Sequence, residues 1–293
     1  ESIFRNKMKE IINGNIPYSY SKVGSYEEKY NLQETHEDMM RLLLAFDRFC
    51  KEHDLKYSLA DGTLLGAMRH GDFVPWDDDA DVMMTRAEYT KLRHVLTENS
   101  EIKVLKIHFL DRVTTKELLE KKIYIDLFIN EEKPANELVF KWKKFKTGFL
   151  RTAFHNTKVR NVRHDKYNKT YKKIRDIVSS ILGLFAKIIV GPRDIFELND
   201  KAVAIKKHKP SGIYTRYTSR MYETGRRFDK KSYDEGYGEV LFRGEKLMAL
   251  INSDTFLKEM YGDYSLLPSE ERRKPEHPVN MLDSPKKCIK FFN

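Results

Sequence analysis

The run Asp77-Asp78-Asp79-Ala80-Asp81-Val82-Met83-Met84 constrains this chain more than any other. Read with the period of a strand, it places Asp77, Asp79, Asp81 and Met83 on one face, and Asp78, Ala80, Val82 and Met84 on the other. The second face turns apolar from Ala80 onward, so a strand over 77–84 predicts burial of Ala80, Val82 and Met84 behind a row of carboxylates. Like charges stacked along one face repel unless a cation neutralises them, and the row therefore predicts a metal site. Hard oxygen donors select Mg²⁺ or Mn²⁺ over zinc, and such ions commonly hold the phosphates of a nucleotide substrate. An acidic surface loop is the plainer reading, and the apolar flank argues against it. A calcium loop is another: Asp77, Asp79, Asp81 and Glu88 fall at the first, third, fifth and twelfth positions of the EF-hand pattern, but Val82 stands where its turn needs glycine.

A second strand is predicted over 123–129, with Ile123, Ile125, Leu127 and Ile129 on one face and Tyr124, Asp126 and Phe128 on the other. Asp126 is its only charge and the natural further carboxylate for a metal. Upstream, Thr35 and Asp38 form a capping signal for a helix over 35–53 that turns Met39, Leu42, Leu43, Phe46, Phe49 and Cys50 inward. Residues 57–60 then read as a short strand, Asp61-Gly62 as a turn, and 63–69 as a short helix. The glycines of Gly62-Thr63-Leu64-Leu65-Gly66 would let backbone N–H groups approach a phosphate at a helix start, and they equally suit a tight turn with close helix packing. Thr85 and Glu88 make a capping box for a further helix with Tyr89, Leu92 and Leu96 inward.

The 293 residues allow about two domains, or one core with a large insertion. With 40% hydrophobic and 33% charged residues, the chain is of the soluble, folding kind. Cys50 and Cys288 cannot build a disulfide framework, which points to a reducing compartment and makes the cytoplasm the expected location. Cys50 and His53 lack the second pair that a structural zinc site needs. The longest apolar candidate, 177–190, is broken by Lys187 and falls short of the roughly 18 residues of a span. The chain begins at Glu1 in place of Met, so it reads as trimmed, and an upstream signal or anchor is not judged from it.

The net charge of +10 is uneven. Residues 141–175 hold 13 Lys or Arg against the single acid Asp165, a local charge of +12 (13 − 1). Such a stretch suits a phosphate-rich partner or an anionic membrane surface contacted peripherally, or is an ordinary solvated helix face. The chain divides by pattern into an N-terminal extension (1–34), a core (35–130), a basic helical insertion (131–220), and a part completing the core (221–293).

Gly62-Thr63, then Asp79-Ala80-Asp81-Val82, then Ile125-Asp126-Leu127 resembles the nucleotidyltransferase superfamily. The longer run from Leu59-Ala60-Asp61-Gly62 through Arg69-His70-Gly71-Asp72-Phe73-Val74-Pro75-Trp76 to Val82 resembles the signature of the LicD family, which includes bacterial phosphocholine transferases and is related to fukutin-type proteins. Tyr124-Ile125-Asp126-Leu127-Phe128 and a tail of Tyr261-Gly262-Asp263-Tyr264, Leu267-Pro268, Arg272 and His277 add to the likeness. Arg243 before Gly244 departs from it, since an acid is expected there.

That resemblance implies an α/β fold, a nucleotidyltransferase-like core with a mixed sheet flanked by helices. It implies a CDP-alcohol donor, most familiarly CDP-choline, with phosphocholine passing to a glycan or teichoic-acid-type hydroxyl and CMP leaving. Asp79 and Asp81 would ligate Mg²⁺ with Asp77 assisting, and Asp126 would complete the site or take the acceptor proton. Arg69 is the candidate phosphate clamp, and His70, His277 and Trp76 are candidates for substrate contact, against loop ordering and packing as the plainer roles. A nucleotidyltransferase releasing pyrophosphate is the alternative from the same fold. A non-catalytic nucleic-acid- or phosphate-binding protein, stacking bases on Tyr167 and Tyr171, is the alternative from another class.

Overall fold

The computed structural model describes residues 29, 31–107, 109–155, 181, 184–185, 188–191, 194–203, 208–216, 227–229, 231–275 and 289–292. Their contacts divide the chain into one unit of Glu1–Asn130 with Arg227–Asn293 and a second of Glu131–Arg226. The first carries the aspartates.

Helix α1 (Gln33–Glu52) buries Met39, Leu42, Leu43, Phe46, Phe49 and Cys50, the stripe that its helical spacing predicts. Each such side chain contributes about 1.5–3 kcal/mol when fully buried. The Thr35–Asp38 capping signal is not used. Leu32 caps the helix without a side-chain bond, and the Asp38 carboxylate instead pairs with Arg41 at 3.1 Å and Lys121 at 2.8 Å. Strand β1 (Ser58–Leu59) leads into helix α2 (Asp61–His70), which starts before Thr63: Asp61-Gly62, expected as a turn, is its first turn. Asp61 enters the helix at φ +40°, a left-handed conformation that costs a non-glycine residue about 1–2 kcal/mol.

Strand β2 (Asp81–Thr85) is shorter than expected, because residues 77–80 are irregular. A regular strand would hold the carboxylates of 77, 79 and 81 in a fixed repulsive row. The loop is held instead by Asp77 N–H to the Val74 carbonyl (2.9 Å) and by His36 Nε2 to the Asp77 carbonyl (2.7 Å). Thr85 does cap helix α3 (Arg86–Val95), accepting from Glu88 N–H at 3.4 Å. Only half of the capping box forms, since the Glu88 carboxylate takes Lys56 N–H and the Lys91 ammonium. Strands β3 (Ile102–Ile107) and β4 (Leu110–Thr115) form an antiparallel hairpin, and the long strand β5 (Ile125–Pro134) pairs with both β4 and β2.

The second unit begins within β5, at Glu131. Its helix α4 (Glu137–His155) packs on helix α5 (Ile195–Val203) through Phe140 with Val203 and Phe154 with Phe196. The buried Lys143 ammonium donates to the Ala202 and Val203 carbonyls at 3.4 and 2.9 Å, satisfying the end of α5. This region is not purely helical: residues 131–134 of β5 pair antiparallel with β6 (Pro210–Thr215).

The first unit resumes at Arg227 and contains β7 (Tyr237–Phe242) and β8 (Glu245–Leu250), a hairpin closed by Arg243-Gly244, both at positive φ. That two-residue turn twists with the strands it joins. Arg243 is anchored on the segment after α2, with its N–H on the Gly71 carbonyl at 2.8 Å and its guanidinium 3.1 Å from Asp72. Helix α6 (Ser253–Tyr261) and the edge strand β9 (Ile289–Phe292) complete the unit. Its sheet runs β1-β2-β5-β4-β3-β9, with β2 and β5 parallel and every other neighbouring pair antiparallel. The result is the expected α/β architecture, a mixed sheet flanked by helices.

Candidate active site

Three neighbouring strands carry the centre of the site. Asp81 on β2 is the register partner of Asp126 on β5, and Asp126 is the register partner of Arg112 on β4. Residues directly opposite each other share a face, so carboxylate, carboxylate and guanidinium stand in one row across the sheet. Arg112 Nε lies 2.7 Å from Asp126 Oδ1, and both side chains are buried. The Asp126 N–H donates to the Ala80 carbonyl at 2.8 Å, which ties the loop before β2 to β5.

Asp81 is also gripped by the start of α2. Its N–H donates to Thr63 Oγ1 at 2.8 Å, its carbonyl accepts from Ala60 N–H at 3.0 Å, and its Oδ2 accepts from Gly62 N–H at 3.3 Å. A helix start presents partial positive charge and favours an anion there. At Gly62 a Cβ would sit 2.2 Å from Asp77 Oδ2, so a side chain there would displace that carboxylate. At Gly66 a Cβ would sit 2.4 Å from the Asp72 carbonyl, so that glycine permits backbone packing.

Carboxylate oxygens of Asp79, Asp81 and Asp126 all come within 4.8 Å of one another, as do those of Asp77, Asp78 and Asp79. Asp78, expected on the far side of a strand, thus joins its neighbours because the loop abandons strand geometry. Burial pushes Asp81 well above the ordinary carboxylate range, and the negative charges of Asp79, Asp61, Asp126 and Asp77 push it further. A buried acid among four others is strongly destabilised when ionised, and a divalent cation is the chemical remedy that this oxygen donor set fits.

The remaining candidates are placed as follows. Arg69 is buried, donating to His70 Nε2 (2.9 Å) and to the Tyr264 and Leu266 carbonyls (3.2 and 3.5 Å), which latches the loop after α6 onto α2. Burial, and then the Arg69 charge, lower His70 to about 4, so it is neutral and its Nε2 accepts the Arg69 bond. Trp76 is buried with the Arg273 guanidinium 5.8 Å from its ring centroid. His277 lies outside the described residues.

Sequence reading missed Asp61 and Arg112. By local pattern Asp61 is only a turn residue, although its charge adjoins Asp81. Arg112 falls in 110–115, where only the fold reveals that β4 lies beside β5.

Residues 54–133 match the family model described as LicD/FKTN/FKRP, nucleotidyltransferase domain. The chain is 27% identical over 272 residues to the lipopolysaccharide cholinephosphotransferase LicD of Haemophilus influenzae, covering 85% of this chain and 97% of that one. It is 25% identical over 113 residues to an uncharacterized protein of Rickettsia prowazekii, covering 34% of this chain and 42% of that one. The matched span contains β2, all but the last residue of β5 and the whole carboxylate row, so the similarity to the LicD/FKTN/FKRP model falls on the site itself.

Proposed function

We propose that this protein is a phosphotransferase that moves phosphocholine from CDP-choline to a hydroxyl of a glycan, of the lipopolysaccharide or teichoic-acid kind. The observation that carries the reading is the convergence of Asp79, Asp81 and Asp126, from a loop and two parallel strands, at one point. The name of the Haemophilus relative, a lipopolysaccharide cholinephosphotransferase, supports the group transferred and a glycan acceptor.

In the reaction the acceptor oxygen attacks the choline-bearing phosphorus, the bond from that phosphorus to the oxygen of CMP breaks, and the acceptor proton is lost. Mg²⁺ or Mn²⁺ held by Asp79, Asp81 and Asp126, with Asp77 assisting, would supply the positive charge that stabilises the phosphates as negative charge develops. Arg112 holds the Asp126 carboxylate in place from the side, a positioning role. Thr63 and Gly62 hold Asp81 against the start of α2. Fixed in this way, the donor set needs little rearrangement on meeting its ligand, which is where such sites gain most of their rate.

The test is a panel of CDP-alcohols and nucleoside triphosphates, incubated with the protein, Mg²⁺ and a glycan acceptor, with the nucleotide product identified. CMP released from CDP-choline with choline phosphate on the glycan is expected. Pyrophosphate from a triphosphate would favour instead a nucleotidyltransferase, the reaction named in the family description.

A further inference from the structure

Helix α4 has its polarity inverted on one side. Leu138, Trp142, Phe145 and Phe149 recur at i, i+4, i+7 and i+11, a single stripe of the helix. Leu138, Trp142 and Phe145 are 74%, 55% and 61% exposed. Their opposite side is already used: Phe140, Lys143, Thr147 and Leu150 are buried, and Phe140 and Lys143 meet the end of α5. The exposed stripe is therefore a second apolar face, not a misplaced core. Trp142 stacks on Phe145 at 5.5 Å between centroids, and Phe145 on Phe149 at 6.5 Å.

Two further observations say what covers this face. Exposed Lys141 and Lys146 flank the stripe on its two sides, with the Lys146 ammonium 5.3 Å from the Trp142 ring centroid. The cationic margin fits an anionic surface. Phe149 also packs with Leu150 and Val190, which joins the stripe to a second exposed apolar group, the helical residues Ile181, Leu184, Phe185, Ile188 and Ile189. Among the described residues no helix is long and apolar enough to cross a membrane. Rings and aliphatic groups bordered by lysines, on helices too short or too polar to span, fit the boundary between headgroups and acyl chains.

We propose that the α4 stripe of Leu138, Trp142 and Phe145 inserts into the interface of an anionic lipid bilayer, with Lys141 and Lys146 on the headgroups. The +12 charge of residues 141–175 adds attraction of the same sign. This goes beyond the catalytic reading and does not depend on it, since it involves neither donor nor acceptor.

The chain has two tryptophans, Trp76, which is buried, and Trp142, which is exposed. Emission therefore reports the stripe directly. The full chain, without substrate, is mixed with vesicles of phosphatidylcholine alone or with phosphatidylglycerol, at low and high salt. Expected are co-sedimentation with the anionic vesicles at low salt, release by salt, and a blue shift of emission that Trp142→Phe alters and Trp76 cannot supply. Trp142→Ser with Phe145→Ser should weaken binding about tenfold or more, and Lys141→Gln about fivefold, as one basic side chain at an anionic surface is worth. No binding to anionic vesicles at low salt overturns the proposal. So does undiminished binding of the double serine variant, or a lipid-free dimer in which Trp142 is already shielded.

Discussion

The two units break the usual partition of residues in opposite ways. The first buries charge: Asp81, Asp126 and Arg112 in the site, and on the β3–β4 hairpin Lys106 and Asp111, which pair at 3.1 Å with no exposure at either side chain. The second exposes apolar rings on α4 while burying Lys143 and Arg151. Crowding of buried carboxylates and exposure of clustered aromatic rings are both unfavourable in an isolated chain. On the readings proposed above, each would be relieved by something outside the chain, a cation in the first case and an apolar phase in the second. What differs is tolerance: the buried row is wired into three strands and a helix start, whereas Leu138, Trp142 and Phe145 of the exposed stripe stand outside the buried core.

Breaking the comparison on the charged side gives the largest effect. Asp79→Asn or Asp81→Asn is expected to lower turnover by about a thousandfold, since a lost anionic ligand removes charge stabilisation in the transition state. The fold should survive, because the substitution relieves repulsion. Normal turnover of both variants at limiting Mg²⁺ would remove the metal assignment.

Arg112→Ala comes next. It leaves Asp126 buried beside other carboxylates, and truncating one partner of a buried ion pair costs about 3–5 kcal/mol. Adding Asp126→Asn should restore part of that loss in a denaturant melt. Additive losses would mean that the two groups do not support each other. Phe140→Ala, on the hidden side of α4, should cost a comparable 3–5 kcal/mol, so the second unit has a true core of its own.

A smaller effect appears in pH. Asp81 binds its proton more tightly folded than unfolded, where a value near 3.9 is ordinary. Folding therefore takes up a proton above about pH 4, and stability falls as pH rises through the window up to the raised folded value. In chelator, the wild-type protein should lose stability over that window relative to Asp81→Asn, and Mg²⁺ should reduce the difference. Parallel pH profiles of the two proteins in chelator would show that Asp81 is not held in that state.

How legible this was depended on range. The α1 stripe, the presence of an apolar strand at β5 and the capping of α3 by Thr85 follow from spacings of a few residues, although β5 runs over 125–134 where the spacing predicts 123–129. Alternation over 77–84 correctly gives Ala80, Val82 and Met84 as buried, but Asp81 and Met83 on the opposite face are buried too, and it overextends the strand, because periodicity carries no record of repulsion among adjacent carboxylates. Arg112 and Asp61 were beyond reach for a different reason. Each matters through a neighbour brought close by strand order or by a helix start, and neither has a local signal. The basic charge after Lys141 was visible as composition, but the division of α4 into a hidden and an exposed aromatic side needed α5 in place.

The smallest expected effect is the sharpest on the apolar side. Trp142→Ser and Phe145→Ser in lipid-free buffer should change stability by no more than about 0.5 kcal/mol each, the range of surface substitutions. Both side chains are more than half exposed, and their mutual stacking is worth at most about 1.5 kcal/mol, less in water where the rings stay wet. A denaturant melt against Phe140→Ala, two residues from Trp142 but on the buried side, makes the contrast within one helix. Loss of several kcal/mol from either serine variant would mean that the stripe is core, covered in solution by another part of this chain. Near-neutral serine variants beside a costly Phe140→Ala would instead leave α4 with one face for the fold and one for a partner.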